Sequence, residues 1–488
     1  MARCSFGSVL VNDTFTPQWP FGTNLEARLF YVEEDGRQWL LCAFDFLGTF
    51  RRTALRFRQE LSRQTGIPAE HIWYHELQTH AAPISWELDG AACEKLIDLC
   101  VPAVRGMIAR AEEAEMRVLL TDMTGYNVNR EQTIPGLGAV TVWAGLQYDE
   151  QGRPWSQNPA IMNLNGYVPP LPAFDHPIQF DRPTDSQGML AVFRGKDGRT
   201  LGTLARFAAH PDVAVLFESH GITDQYRYHF DWTGYLRQRI DGRLGGTSLY
   251  LNGPCADLCT KKGFEGMTTF EACDRECRHI GEEIADELLR RWEADDTPWK
   301  PVRLGQSAHG SVALPMRASI PHSLEDARIR QPHIDRAAAA LQDALRRGDT
   351  PATIKGLIDE LRHQQILSML VYNWLGFSEQ ELREREAVVE MECVTINDMV
   401  FAGLPGEALT ETGEWLRART LGNRLIPIDQ VNGYVSYLTT ARAYDEGGYS
   451  YWGGWVRRDA EETLRRRTLE VIEQAARNAL ILGTPGMQ

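Results

Sequence analysis

The sequence predicts an α/β protein in which a mixed β-sheet core is layered with α-helices. Three observations lead there. Apolar, β-branched runs alternate with segments of helical periodicity along the whole chain. The 488 residues combine 43% hydrophobic with 24% charged residues, an ordinary globular composition that supplies a sizeable core. No internal repeat or low-complexity tract interrupts the alternation.

Taken in order, QWLLCAFDF is a continuous apolar run and reads as a buried strand, and TALRFRQELSRQTG carries apolar positions at helical spacing. HIWYHEL reads as the next strand, and CEKLIDLCVPAVRGMIARAEEA as the next helix. Residues 131–187 hold many Pro and Gly, in TIPGLG, NGYVPPLPAF and DHPIQFDRP; so long a stretch inside a compact domain is expected to be a lid or a structural excursion on the surface. GMLAVFRG and TLGTLARFAAH then read as strands, DWTGYLRQRI as a helix, TSLYLNG as a strand and FEACDRECRHIGEEIADELLRRWE as a strong helix. Residues 333–390 are mostly helical and charged, with the apolar stripe of IKGLIDELRHQQILSMLVYNWL, and are expected to form a helical insertion. The strand pattern VVEMECVTINDMVFAGL, the helix-like TETGEWLRART, the Tyr-rich NGYVSYL and the helix AEETLRRRTLEVIEQAARNALI close the chain.

Composition also excludes. A net charge of −15 argues against nucleic acid as a partner and against attachment to anionic lipid by charge alone. The start, MARCSFGSVLVNDTF, has no basic segment followed by a long apolar one, so a cytoplasmic location is expected. No apolar stretch approaches the roughly 18 residues of a membrane span, since QWLLCAFDFLG is short and carries Asp45. Nine cysteines without a secretion signal favour reduced thiols over a disulfide framework.

In α/β folds chemistry gathers in loops after the carboxyl ends of strands, and four residues in such loops are informative: His80 in QTHAAP, His210 in AAHPD, Glu407 in LPGEAL and Tyr437 in NGYVSYL. Imidazole, carboxylate and phenolate all bind zinc, and a catalytic zinc takes three protein ligands with one position open. Taken singly, each has a plainer reading: a loop histidine held by hydrogen bonds, or a glutamate that caps the following helix.

The ordered segments LLCAFDFLG, TGIPAEHIWYHELQTHAAP, GYNVNR, GTLARFAAHP, DWTGYL, LYLNGPCADLC, INDMVFAGLPGEALTETGEWLR and VNGYVSYLTTARAYDEGGY resemble the neutral/alkaline ceramidase family over nearly the whole chain. That resemblance implies one catalytic domain over residues 1–488, without the C-terminal immunoglobulin-like domain of typical members. It implies a zinc-dependent amidase site of lipid metabolism, one that splits the N-acyl bond of ceramide. His210, Glu407 and Tyr437 match the zinc-binding His, Glu and Tyr; Tyr449 matches a second active-site Tyr and Arg130 the active-site Arg.

Two positions depart from the family. Its HTHSGP segment reads QTHAAP, so His80 keeps the second His while Gln78 stands in the place of a zinc ligand. An amide oxygen is a poorer zinc ligand than imidazole; either His75 or His80 replaces it, or the site takes a harder metal, or it has lost its metal. Its GDVSP segment reads ADLCT, which puts Cys259 at the nucleophile's place, where a thiolate serves as nucleophile or soft ligand and a buried inert thiol is the plain alternative. Cys255, Cys259, Cys273 and Cys277 are paired in a way that raises a second metal site, with leftover loop cysteines the plainer explanation.

The function expected is hydrolysis of an amide bond in an N-acyl substrate, ceramide-like or a small amide, with one Zn2+ per chain or another divalent metal. His80 is expected as general base or oxyanion donor, Tyr449 and Arg130 as holders of the tetrahedral intermediate, and Asp257 as a residue that orients its neighbours. The alternatives are a repurposed metal-dependent enzyme using Cys259 for non-hydrolytic chemistry, and an inactive binding or scaffold homologue.

Overall fold

A computed structural model describes residues 1–85, 87–141, 179, 181–214, 227–260, 269–369 and 376–482. Its larger sheet runs, from edge to edge, through Thr247–Asn252, Thr200–Phe207, Gln187–Gly195, Glu112–Asp122, Arg3–Leu10, Glu26–Glu34, Arg37–Phe44 and Ile72–Glu76. The interior pairings are antiparallel, while the two outermost pairs, Thr200–Phe207 with Thr247–Asn252 and Arg37–Phe44 with Ile72–Glu76, are parallel. A parallel pair cannot be joined by a tight hairpin and needs a crossover. The helices Asp231–Leu244 and Arg51–Thr65 are those crossovers, and they pack the sheet with apolar faces such as Ala54, Phe57 and Leu61.

The sheet curls until its two parallel edges meet. Asn252 at the end of one edge donates its backbone N–H to His75 Nε2 (3.3 Å) and its side-chain amide to Leu77 O (3.2 Å) at the end of the other. His80 N donates to Pro211 O across the same seam (3.0 Å). Loops that follow carboxyl ends of parallel strands, far apart along the chain, thus share one rim.

A second sheet runs Leu304–Pro315, Glu386–Ile396, Met399–Gly403 and Leu425–Ile428. Its last pair is also parallel, with the helix Thr410–Arg419 as crossover. The loop that leaves Ile428 reaches the first sheet: Glu76 N donates to Gln430 O, and Tyr74 N to Asn432 Oδ1 at 2.9 Å. The buried Arg58 of the helix Arg51–Thr65 binds Glu390 (2.8 Å) and Glu392 of the second sheet. The helix Ala460–Leu482 covers that sheet so closely that a Cβ on Gly310 would lie 2.5 Å from Val471.

Expected and observed elements differ in a few places for identifiable reasons. The helix expected over residues 93–114 ends at Arg110, and the chain then enters the strand Glu112–Asp122 at the middle of the larger sheet. That strand, EEAEMRVLLTD, lacks the continuous apolar character of the strands read from sequence. Residues 333–390 hold the helices Gln331–Arg347, Pro351–Met369 and Glu379–Glu384 before the strand that begins at Glu386. The first two of these helices share a small core of Ile334, Leu341, Ile354, Ile358 and Leu361. Of the stretch 131–187, Glu131–Ile134 and Gly138–Thr141 form a hairpin, and Gln187 opens a strand; the segment containing NGYVPPLPAF lies outside the described residues. Among the described residues no helix is long and apolar enough to cross a membrane.

Candidate functional site

His210 lies just past the carboxyl end of Thr200–Phe207, where its backbone runs beside Cys259 and its N–H donates to Leu258 O (3.1 Å). The ring is fully buried, and Nδ1 meets two carbonyl oxygens, Cys255 O at 2.7 Å and Leu258 O at 3.0 Å. Carbonyls only accept, so Nδ1 carries the proton and Nε2 is left with its lone pair. This is the arrangement by which outer hydrogen bonds fix a histidine for metal binding.

Glu407 and Tyr437 come from the second sheet's rim and pair directly in a short parallel ladder. Gly406 permits it: the residue sits at φ +68°, and a Cβ there would lie 2.6 Å from Ser436 O. Tyr434 donates its hydroxyl to Glu407 Oε1 (2.7 Å). Glu407 Oε2 has no hydrogen-bond partner among the described residues and lies 3.5 Å from His210 Nε2. Burial raises the pKa of this carboxyl group, while the Tyr434 hydroxyl and the Arg130 charge act to lower it.

Arg130 enters this group from the opposite side. Its backbone N–H donates to Asp257 O, and its guanidinium is completely buried. Nη2 lies 2.7 Å from Ala256 O, 3.0 Å from His210 Nε2 and 3.1 Å from Tyr437 Oη, while Nη1 is 3.5 Å from Asp212 Oδ2. Tyr449 stands over the guanidinium, 5.5 Å from ring centre to Cζ, and meets Tyr437 edge-on. Burial pushes the Tyr449 phenol up to about 12, so it is a hydrogen donor at neutral pH. Asp257 is taken up by Asn129 Nδ2 (2.8 Å) and by the backbone and hydroxyl of Thr410 (2.8 and 2.9 Å). Cys259 lies in the short strand Leu258–Thr260, with its thiol 3.9 Å from Val128 O.

His80 places its ring 5.3 Å from that of His210, with Nδ1 on Gln78 O at 2.8 Å. Burial, then the neighbouring His210, lower its pKa to about 4, so the imidazole is neutral at physiological pH. Gln78 is buried at φ +65°, and its Oε1 accepts from the Cys255 thiol (3.2 Å). His75 faces the seam, where its Nε2 accepts from Asn252 N. Of the two histidines considered as substitutes at position 78, His80 is the one beside His210.

Asp212, Tyr434 and Glu131 also belong to this group, and the sequence does not single them out. Each lies within two residues of a quoted motif position or in the motif itself, but nothing in the sequence says which neighbour turns inward. Among the described residues the four clustered cysteines do not gather at one centre: Cys255 donates to Gln78 and Cys259 to Val128 O, while Cys273 donates to Val213 O and pairs with Cys277 one helical turn on. Among the described residues, ligand-type side chains also gather at His309, Glu390 and Glu392 on the second sheet. There Arg58 binds both carboxylates and Arg51 binds Glu390 (2.8 Å), so the charges are already balanced.

His210 Nε2 with its lone pair, the unpartnered Glu407 Oε2 and Tyr437 Oη fit three ligands of a catalytic divalent metal. Gln78, the fourth ligand position expected from the sequence, has its amide oxygen 3.2 Å from the Cys255 thiol.

No family model and no curated protein matches the sequence. Solved structures do. A crystal structure of neutral ceramidase from Pseudomonas aeruginosa superposes with a TM-score of 0.64 at 14% identity, covering 98% of this chain and 75% of that one. A structure described as ceramidase complexed with C2 gives 0.59 at 13% identity, covering 100% and 77%. The two sheets, the crossovers and the rim of loops between them are therefore a neutral-ceramidase-like fold.

Proposed function

We propose that the chain is a metal-dependent hydrolase that cleaves the amide bond of an N-acyl substrate, ceramide-like or a small amide. The observation that carries this reading is the meeting of His210 Nε2 and the unpartnered Glu407 Oε2 at 3.5 Å beside Tyr437. Two acceptor atoms so close, both out of water, call for positive charge; Arg130 meets Nε2 at 3.0 Å, while Glu407 Oε2 has no hydrogen-bond partner among the described residues. Bound there, a divalent metal, zinc in the first instance, supplies a Lewis acid for the amide carbonyl and lowers the pKa of water.

The chain's own residues do the rest. His80, neutral because of its burial, offers a lone pair to take a proton from water or a thiol and return it to the leaving amine. Arg130 and the Tyr449 hydroxyl are donors on the side where negative charge develops on the carbonyl oxygen. Asp257 ties the turn that holds Ala256 O to Asn129 and Thr410, and so positions one acceptor of the Arg130 guanidinium. Cys259, alongside His210, is the nucleophile in this reading. A second reading, non-hydrolytic chemistry at Cys259, is favoured by the thiol standing where the resemblance implies a serine.

The test is to purify the chain, measure its metals and offer a panel of N-acyl amines from acetyl to long-chain ceramides. One divalent metal per chain, with free acid and amine released in equal amounts, is expected, and Cys259→Ala should keep the metal and lose turnover. Absence of metal, or no amine released from any substrate, rejects the hydrolase. Full activity in Cys259→Ala rejects the thiol alone.

A further inference from the structure

We infer that Arg130 is a resident cation that competes with a divalent metal for His210 Nε2 and Tyr437 Oη, so that the site loads only as the guanidinium withdraws toward Asp212. This rests on the metal-dependent reading above and adds to it a condition on loading that the ligand set alone does not contain.

The first argument is the lone pair. With Nδ1–H committed to Cys255 O and Leu258 O, the His210 ring has one lone pair left, on Nε2. Arg130 Nη2 lies 3.0 Å from it. That pair serves an N–H or a metal, not both. The second is crowding. Nη2 has two protons, yet three acceptors surround it within 3.1 Å: Ala256 O, His210 Nε2 and Tyr437 Oη. One must share, so the guanidinium gives up less than a full hydrogen bond when it leaves His210.

The guanidinium also has a destination. Asp212 is 2% exposed and its Oδ1 has no hydrogen-bond partner among the described residues. Its Oδ2 is 3.5 Å from Arg130 Nη1, too long for a strong charge-assisted bond. A small rotation of the guanidinium onto Asp212 would convert a long single contact into a two-pronged one and satisfy the orphan oxygen. It would also move a positive charge away from the incoming cation. Guanidinium does not lose its proton in proteins, so relief must come from motion.

The experiment compares metal affinity across variants of the full chain stripped with EDTA, by calorimetric titration with Zn2+ and by the visible absorption that develops with Co2+. Arg130→Met is expected to bind both ions about tenfold or more tightly than wild type, the equivalent of one charge-assisted hydrogen bond no longer displaced. Arg130→Lys, which keeps the charge and loses the fork, should fall between. Asp212→Asn should bind more weakly than wild type. Thermal unfolding of each stripped variant establishes that it is folded; should Arg130→Met fail there, the lysine and asparagine variants carry the comparison. Equal affinities in wild type and variants overturn the competition and leave the metal site standing. No binding by any of them, Arg130→Met included, overturns both.

Discussion

Glu131 shows how a single side chain can report on this site. It follows Arg130, and its Oε1 accepts from Ser450 N (3.1 Å) and Thr141 Oγ1 (3.2 Å), which ties the hairpin to the segment that carries Tyr449. Burial holds its carboxyl group up at about 7, against an ordinary value of 4.5, despite the help of Ser450 N–H and Arg130. The folded state thus keeps a proton that the unfolded chain gives up near 4.5. The stability linked to that proton is complete below pH 4.5 and falls away as pH rises to about 7, by about 3 kcal/mol. Glu131→Gln carries no such proton. Urea unfolding at pH 4.5 and pH 8 should show the variant gaining about 3 kcal/mol on wild type between the two; an unchanged difference would mean that Glu131 ionises as in water. Tyr434, Asp212 and Glu131 were illegible in sequence because the residue type fits many roles and only the direction of the side chain selects one.

The elements that could be read were those with strong period or continuous apolar runs. Residues 39–44 and Ile72–Glu76 are buried throughout, and the helices Arg51–Thr65 and Phe270–Ala294 show a clear apolar stripe. The polar-faced strands Arg3–Leu10 and Glu112–Asp122 gave no such signal, because their charges find partners only after pairing: Arg3 meets Glu33 at 2.6 Å across the ladder. The helix Arg51–Thr65 is also joined to the second sheet by charge. Arg58, 3% exposed, faces Glu390 and Glu392, 8% and 1% exposed. Removing one partner of a buried ion pair strands the other, which costs about 3–5 kcal/mol. Arg58→Ala should lose that much in urea unfolding, and a loss of under about 1 kcal/mol would show these carboxylates to be solvated after all.

At the scale of the molecule, the site exists because the two parallel edges of the larger sheet meet and the loop after the second sheet's parallel pair reaches the same seam. Asn252 is the joint: it holds Leu77 O and His75 Nε2, and its side-chain oxygen accepts from Tyr250 Oη (3.3 Å). Asn252→Ala leaves the buried Leu77 carbonyl without its donor and should cost about 1–3 kcal/mol of stability. It should also weaken Zn2+ binding at His210 although residue 252 is not among the ligands. A loss of stability with metal affinity intact would show that the two edges are positioned independently.

By itself the sequence determined the α/β class, the main helices and the rule that the informative residues follow carboxyl ends of strands, since those depend on local periodicity and on the apolar content of short runs. It also supplied the residues that resemble a ceramidase site, in order. Only the tertiary structure decided that His210, Glu407 and Tyr437 share one buried volume, that the Gln78 amide oxygen meets the Cys255 thiol, and that the Arg130 guanidinium lies on His210 Nε2 and Tyr437 Oη. Most of those are relations between side chains 80 to 307 residues apart along the chain, set by how the sheet curls and which way each rotamer turns, and no local pattern encodes them.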